Sequence, residues 1–369
     1  MRVLFVEHKT VWGGAQVALV NLLREWERTK APMATTIVCP PDAALVPRVR
    51  ALGMACIPLD LGAIEKRRGI AWNLAQRLAP TTKLLRILRR TGAQGIIANG
   101  AFSFLASVLA AKYAHVPIVW IEHNTTLPND YLVRRMLHWA NQIVVVSEAI
   151  REQFVNLAPE AQGNIITIHN GVDTEEFRVN PEARCRVRRE LGWDENLCVV
   201  GTVGRLSPEK GIEYFVDAAA EIAAIMPETR FLVAGDGPQR AELETRAAGR
   251  VRFLGWREDM PDIFNALDVF ALPSLAEAFG LAAVQAMATQ VPVVASHVGG
   301  LREIIRAETG LLVPPREAHA LAQGILTLLR NQEMRRAFGA RGRDRVLQQF
   351  TLAQQAEQMQ TILEQLEKG

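Results

Sequence analysis

Cysteine is scarce in this chain. Four thiols occur in 369 residues (Cys39, Cys56, Cys185 and Cys198), irregularly spaced and with no Cys-x-x-Cys pair. That pattern excludes a disulfide framework and a zinc site of ordinary ligand spacing. The four read as buried thiols in a reducing compartment. Charge of one sign is also lacking: 42 Lys and Arg stand against 39 Asp and Glu, a net charge of +3. So mild a balance argues against a nucleic-acid binder. No long hydrophobic run is present. The longest apolar stretch, 101–121, is interrupted by Lys112, His115 and Pro117, and parses as a helix followed by a strand rather than a membrane span. The first residues meet charge at Arg2 and Glu7, too soon for a signal peptide. These features predict a soluble, cytoplasmic protein. The loop after the first apolar segment also lacks the Gly-x-Gly-x-x-Gly fingerprint, which weakens a dinucleotide oxidoreductase reading.

What is present is apolar material, 49% of the residues, enough for two domains with substantial cores. Short apolar segments alternate with helical patterns. In the first half they fall at 3–6, 36–39, 95–98, 118–121, 143–146 and 165–168. In the second half they fall at 198–203, 231–234, 251–254, 269–272, 293–295 and 311–313. Continuous apolar strands separated by helices predict two parallel sheets covered on both faces. The polar stretch 170–196 lies between the series and reads as a linker plus an initial helix. The closing segment 351–368 carries Leu352, Ala356, Met359, Ile362, Leu363 and Leu366 near helical spacing, one amphipathic helix in need of a partner surface.

The segment 273–314 is the most informative. It contains Ser274, Glu277, Phe279-Gly280-Leu281, Gln285, Pro292, Gly299-Gly300, Glu303 and Gly310. A strand ends at Pro273, a polar loop follows, and a helix is predicted to open near Phe279. Free N–H groups at a helix start, with the positive dipole end, suit phosphate or sugar oxygens. Glu277 stands before the helix, where a carboxylate can accept sugar hydroxyl protons. Gln285 is eight residues on, two turns along, and is expected near the same face. A second segment, Gly204-Arg205-Leu206-Ser207-Pro208-Glu209-Lys210-Gly211, links a strand to a helix. Arg205 offers a planar fork of donors to a diphosphate and Lys210 a compact charge.

In that order and in that half of the chain, the two segments resemble the nucleotide-sugar half-site of the retaining family-4 glycosyltransferases (glycosyl transferases group 1). The resemblance implies an α/β fold of GT-B architecture. Two doubly wound, Rossmann-like domains face each other across a cleft, and a C-terminal helix crosses back to the first. The expected boundaries are 1–174 for an acceptor-side domain joined by helix 351–369, and 175–350 for a nucleotide-sugar-binding domain. The implied reaction is transfer of a sugar from a nucleoside-diphosphate sugar to an acceptor hydroxyl with retained configuration, in glycan, glycolipid or polysaccharide synthesis. Epimerases of the same architecture, and a catalytically silent binding subunit, are the alternatives.

The resemblance also assigns residues. Glu277, His123, Arg205 and Lys210 take catalytic roles. Gly14, Gly204, Arg205, Lys210, Arg252, Phe253, Glu277, Phe279, Gly280, Leu281 and Gln285 bind the donor. Gly14 lies in Gly13-Gly14-Ala15-Gln16, which also reads as a tight turn needing positive φ. His123 follows the strand 118–121. Ser147-Glu148 occurs on the acceptor side in the family, although Ser147 is a natural N-cap and capping is favoured as its main role. Asn170-Gly171 resembles an inter-domain signature and Arg252-Phe253 a base-flanking loop. Gln285 departs from the pattern, since the family usually has Glu there to hold the ribose. No Asp-x-Asp occurs, so no metal cofactor is expected and Arg205 with Lys210 supplies the positive field.

One segment is left over. Between 62 and 91, Lys66, Arg67, Arg68, Arg77, Lys83, Arg86, Arg89 and Arg90 stand against a single acid, Glu65, with Trp72 and several leucines among them. From Lys66 to Arg90 this could contact an anionic membrane at its inner face. A helix with its apolar side in the core and its cations in water is favoured.

Overall fold

A computed structural model of the chain describes residues 1–62, 78–125 and 130–368. The chain divides into two compact units, Met1–Gly171 with Leu352–Gly369, and Val172–Thr351. The chain therefore passes between units three residues before the 174/175 boundary expected from sequence, and returns one residue after 350/351.

The first unit is built on seven parallel strands: β1 (Arg2–Glu7), β2 (Ala34–Cys39), β3 (Ala55–Pro58), β4 (Gly95–Asn99), β5 (Ile118–Glu122), β6 (Gln142–Val145) and β7 (Ile165–Thr167). Their order is β3-β2-β1-β4-β5-β6-β7. β4 and β5 are buried at every residue, as strands covered on both faces must be. β3 was not legible as a strand. It is a short, half-exposed edge beside β2, and the proline that ends it, Pro58, argues against a strand for the apolar residues 54–57. The closing helix, Leu352–Lys368, belongs to this unit and packs on helix Gly14–Arg28. Leu352, Ala356, Met359, Ile362 and Leu363 are all buried, and the Trp26 indole donates to the Ala356 carbonyl at 3.4 Å.

The second unit has six parallel strands: β8 (Val199–Val203), β9 (Arg230–Ala234), β10 (Val251–Gly255), β11 (Val269–Leu272), β12 (Val293–Ser296) and β13 (Gly310–Val313). Their order is β10-β9-β8-β11-β12-β13. Helix Pro181–Glu190 opens the unit. Its Arg188, fully buried, donates to the carbonyls of Ala266, Glu195 and Leu197 and to Asp268 Oδ2 at 2.7 Å. A buried guanidinium is tolerable only when satisfied in this way, and here it pins the helix to the strand series.

Each sheet grows outward in both directions from its first strand. The winding reverses between β1 and β4 in one sheet and between β8 and β11 in the other. The crevice at the carboxyl ends of strands flanking such a reversal is where open α/β sheets bind ligands.

The basic segment is described only in part. In helix Leu78–Thr91, Leu84, Ile87 and Leu88 are buried while Lys83, Arg86, Arg89 and Arg90 are exposed, a solvated cationic face over an apolar one. Lys66, Arg67, Arg68, Trp72 and Arg77 lie outside the described residues. No helix among the described residues is long and apolar enough to cross a membrane.

Candidate functional site

In the second unit, the loops leaving β8 and β11 are locked together at the reversal point. The first loop turns through a short 3-10 segment, Pro208–Lys210, and enters helix Ile212–Ile225 at Gly211, whose φ is +60°. A Cβ on Gly211 would stand 2.3 Å from the Pro273 carbonyl oxygen, so only glycine lets the two loops touch. The Leu275 amide donates to the Glu209 carbonyl at 2.9 Å. Behind them, the Gly300 amide donates to the Glu277 carbonyl at 3.0 Å. A Cβ on Gly299 would fall 1.9 Å from that same oxygen.

This bracing brings together two residues assigned to separate tasks from the sequence. Lys210 Nζ donates to Glu277 Oε2 at 2.7 Å, and the buried Ser274 hydroxyl donates to the same oxygen at 3.1 Å. The side chains of Lys210 and Glu277 remain 26% and 13% exposed, so the pair is open to a ligand on one side. Beside it, burial pushes the Glu209 carboxyl up, but the Ser207 hydroxyl and the charges of Lys210 and Arg205 bring it below the usual range. Arg205 is exposed and makes no side-chain hydrogen bond or ion pair among the described residues.

The helix after Glu277 begins at Leu281, not near Phe279. The Gly280 carbonyl accepts the amides of Ala283 and Val284, and the amides of Leu281 and Ala282 precede the first intrahelical bonds. The Phe279 side chain is buried edge-on against Phe350, with ring centroids 5.9 Å apart. Only its main chain can meet a ligand. Because Glu277 lies outside the helix, the two-turn relation to Gln285 does not hold. Gln285 sits half-buried on the helix's second turn, and no hydrogen bond joins it to Glu277 among the described residues.

Arg252 and Phe253 lie on β10, an edge strand two positions from β8. Arg252 is exposed and Phe253 packs in part on the core. The pairing register with β9 slips between Phe253 and Gly255, and the Gly235 amide donates to the Gly255 carbonyl at 2.8 Å. Gly204 joins the same ladder of strand ends through its amide to the Ala234 carbonyl at 3.0 Å. No hydrogen bond or ion pair joins the side chain of Arg252 or Phe253 to the Lys210–Glu277 pair among the described residues.

In the first unit, polar residues occupy the last position of three successive buried strands: Glu7 on β1, Asn99 on β4 and Glu122 on β5. Glu7 accepts the amides of His8 and Lys9 on Oε1, and the side-chain amides of Gln16 and Asn99 on Oε2, at 2.6 to 2.9 Å. Asn99 Oδ1 lies 2.8 Å from His123 Nε2. Glu122 accepts the Ala101 amide at the start of helix Ala101–Ala114, the Trp120 indole, the amides of His123 and Asn124, and the Asn124 side chain. Burial pushes its carboxyl up against the pull of those donors. His123 is therefore fixed at both its main chain and its ring. Burial, and then the charge of Lys9, press its pKa down to about 3. Its Nδ1 is buried and has no hydrogen-bond partner among the described residues.

Gly13 is extended and neither it nor Gly14 has positive φ, so the tight-turn explanation does not hold. A Cβ on Gly14 would meet nothing within 4 Å. Neither backbone conformation nor protein crowding requires that glycine. Ser147 caps helix Glu148–Leu157 by accepting the Ile150 amide at 3.3 Å.

Glu7, Asn99 and Glu122 were not singled out from sequence, although a signal existed: a lone polar residue ending an otherwise apolar strand, at the sheet edge where ligands bind. Ser274 was noted with its segment but given no role.

Comparison with known proteins bears on both units. Residues 12–176 match the Glycosyltransferase Family 4 model and residues 198–331 match Glycosyl transferases group 1. The 2-deoxystreptamine glucosyltransferase of Streptomyces kanamyceticus is 31% identical over 287 residues, covering 70% of this chain and 74% of that protein. The D-inositol 3-phosphate glycosyltransferase of Mycobacterium sp. (strain KMS) is 37% identical over 204 residues, 52% of this chain and 45% of that one. The chain spans about half the length of several of the curated relatives it matches. Among solved structures, Anabaena Alr3699/HepE in complex with UDP superposes with a TM-score of 0.85 at 23% identity, over 99% of this chain and 100% of that one. That likeness extends the two-sheet, Rossmann-like architecture through the whole chain. With a matching model on each unit and a relative aligned over most of both sequences, the chain belongs to glycosyltransferase family 4.

Proposed function

We propose that the chain transfers a glycosyl group from a nucleoside-diphosphate sugar to an acceptor hydroxyl, with retention of anomeric configuration. The observation that carries this reading is the Lys210–Glu277 pair at the reversal point of the second sheet, beside unspent helix-start amides. A cation, a carboxylate and free N–H groups in one crevice match a ligand with phosphate at one end and hydroxyls at the other. The named activities of the relatives and the UDP and UDP-glucose complexes of Alr3699/HepE support the same class.

In this reading Lys210 turns its ammonium to the diphosphate, and the exposed Arg205 adds a second donor. Glu277 accepts sugar hydroxyl protons, held in place by Ser274. Gly204, the main chain around Arg252 and Phe253, and Gln285 line the nucleoside. The amides of Phe279, Gly280 and Leu281 face the sugar and phosphate oxygens. Gly14 and His123 are the first unit's residues assigned to donor binding and catalysis. The bond from the anomeric carbon to the phosphate oxygen breaks, and its electron pair stays on that oxygen. Lys210 and Arg205 stabilise the charge that develops. The acceptor oxygen bonds to the same face, and its proton passes to the departing phosphate. No protein nucleophile is needed, and the two cations supply the field a metal would otherwise give.

A thermal-shift screen of UDP-, GDP- and ADP-sugars tests the donor site. One series should raise the melting temperature, and release of its nucleoside diphosphate should require an acceptor. Turnover should survive excess EDTA, and the product's anomeric configuration by NMR should match the donor's. Nucleotide released equally without acceptor, or a product of opposite configuration, would refute the reading.

A further inference from the structure

Glu7 is fully buried and receives four N–H donors. A carboxylate so supplied accepts on both oxygens and has no proton to give. Its neighbour Asn99, 3% exposed, must therefore present its NH2 group to Glu7 Oε2, at 2.6 Å. That choice fixes the other end of the amide. Asn99 Oδ1, an acceptor only, faces His123 Nε2 at 2.8 Å, so the ring must donate from Nε2. In a neutral imidazole the other nitrogen is then bare. His123 Nδ1 is buried and has no partner among the described residues, an arrangement that costs free energy and calls for a reason.

We infer that Glu7 and Asn99 are positioning residues that hold His123 in its Nε2–H tautomer and leave Nδ1 as an acceptor reserved for one hydroxyl of the ligand. This assignment rests on the proposed function for the identity of the ligand, but not for the state of the ring. A bare ring nitrogen accepts a hydrogen bond and cannot donate one. It favours a hydroxyl and disfavours a phosphate or carboxylate oxygen at that point. Asn99 acts as an inverter in this chain: it converts the fixed polarity of a carboxylate at the end of β1 into the opposite polarity at the ring beyond β5.

The inference predicts a specific effect for Glu7→Gln. The His8 and Lys9 amides both need an acceptor, so the new side chain keeps its oxygen toward them and turns its NH2 group toward Asn99. Asn99 must then rotate to accept, and it offers its own NH2 group to His123 Nε2. The proton moves to Nδ1. The test is 15N NMR of histidine-labelled protein, with the His123 signal assigned by its loss in His123→Gln. Wild type should show a pyrrole-type Nε2 and a pyridine-type Nδ1, and Glu7→Gln should exchange the two.

Adding the stabilising sugar nucleotide should shift Nδ1 more than the nucleoside diphosphate alone. The turnover number of Glu7→Gln should fall about tenfold, the effect of one misdirected hydrogen bond, while nucleoside-diphosphate affinity is retained. A wild-type ring that carries its proton on Nδ1 would overturn the assignment, and this needs no variant to fold. So would a sugar nucleotide that leaves Nδ1 unmoved. If the tautomer is as stated but no nucleotide sugar is turned over, the positioning roles stand and the proposed function falls.

Discussion

The two sheets reverse their winding at equivalent places and put opposite chemistry there. Between β8 and β11 stands an ion pair left partly open to solvent, Lys210 with Glu277. Between β1 and β4 stands a buried, fully directed chain, Glu7 to Asn99, which continues to His123 past β5. A pair open on one side can exchange partners when a charged ligand arrives, because the ligand supplies the counter-charge that the released group loses. It is suited to receive a charged ligand. A buried polar chain cannot rearrange without leaving groups unpaired. It is suited to hold one group in one state. The same fold thus supplies a site built to be displaced and a site built not to be.

The largest expected effect lies on the displaceable side. Lys210→Ala removes a donor to developing phosphate charge and should slow turnover by on the order of 100-fold or more. Arg205→Ala should do the same to a comparable extent. Since the Lys210–Glu277 contact is partly solvated, neither change should unfold the protein. Wild-type rates in both variants would mean that the second unit's cations do not meet the diphosphate. The contrast between the two crevices would then have no functional content.

Much of this contrast was readable in the sequence, and its limits have physical causes. The parallel strands were legible because burial on both faces demands unbroken apolar runs, as in 95–98 and 118–121. The edge strand β3 escaped because its short apolar run ends at Pro58, a residue that argues against a strand. Arg205 and Lys210 were legible because Gly204 and Gly211 bound their loop, and Glu277 because it stands before a helix start. Their meeting was not, because 67 residues separate Lys210 from Glu277 and only the β8–β11 pairing closes that gap. Glu7 and Asn99 were passed over because a single polar residue at a strand end reads as the strand stopping. Phe279 was placed beside the ligand by its neighbours, yet its ring is part of the core.

A smaller effect tests the buried side. His123 has its pKa pressed down to about 3, first by burial and then by the Lys9 charge. An unfolded histidine titrates near 6.5, at about its ordinary value. Between those values the unfolded chain takes up a proton that the folded chain refuses. Stability is therefore lost as pH falls from about 6.5 toward 3, with a loss of up to about 2 kcal/mol by pH 5. Denaturant unfolding at pH 7 and pH 5, compared between wild type and His123→Asn, isolates this contribution, because the opposing influence of Glu122 is common to both. Wild type should lose the larger amount. Equal losses would show a ring already charged or open to water, and the buried site would no longer differ in kind from the solvated one.

The smallest effect concerns a residue the displaceable site does not use in the free protein. Gln285 is half-buried on the second turn of helix Leu281–Ala288, and no hydrogen bond of its side chain occurs among the described residues. Replacing it with Glu breaks no side-chain hydrogen bond among the described residues, so a change in affinity reports the ligand. An amide offers a ribose diol one acceptor and two donors, whereas a carboxylate offers two charge-assisted acceptors. Gln285→Glu should tighten nucleoside-diphosphate binding by about 1 kcal/mol. Sugar preference should not change, because the sugar is assigned to Glu277, to which Gln285 has no hydrogen bond among the described residues. Calorimetry with the diphosphate and its 2′-deoxy analogue separates the possibilities: the gain should shrink when one hydroxyl of the diol is missing. An equal gain for both ligands would point to a general electrostatic effect. Tighter binding by the native glutamine would remove position 285 from the ribose altogether, and leave the Lys210–Glu277 pair and the helix-start amides as the donor contacts of the second unit.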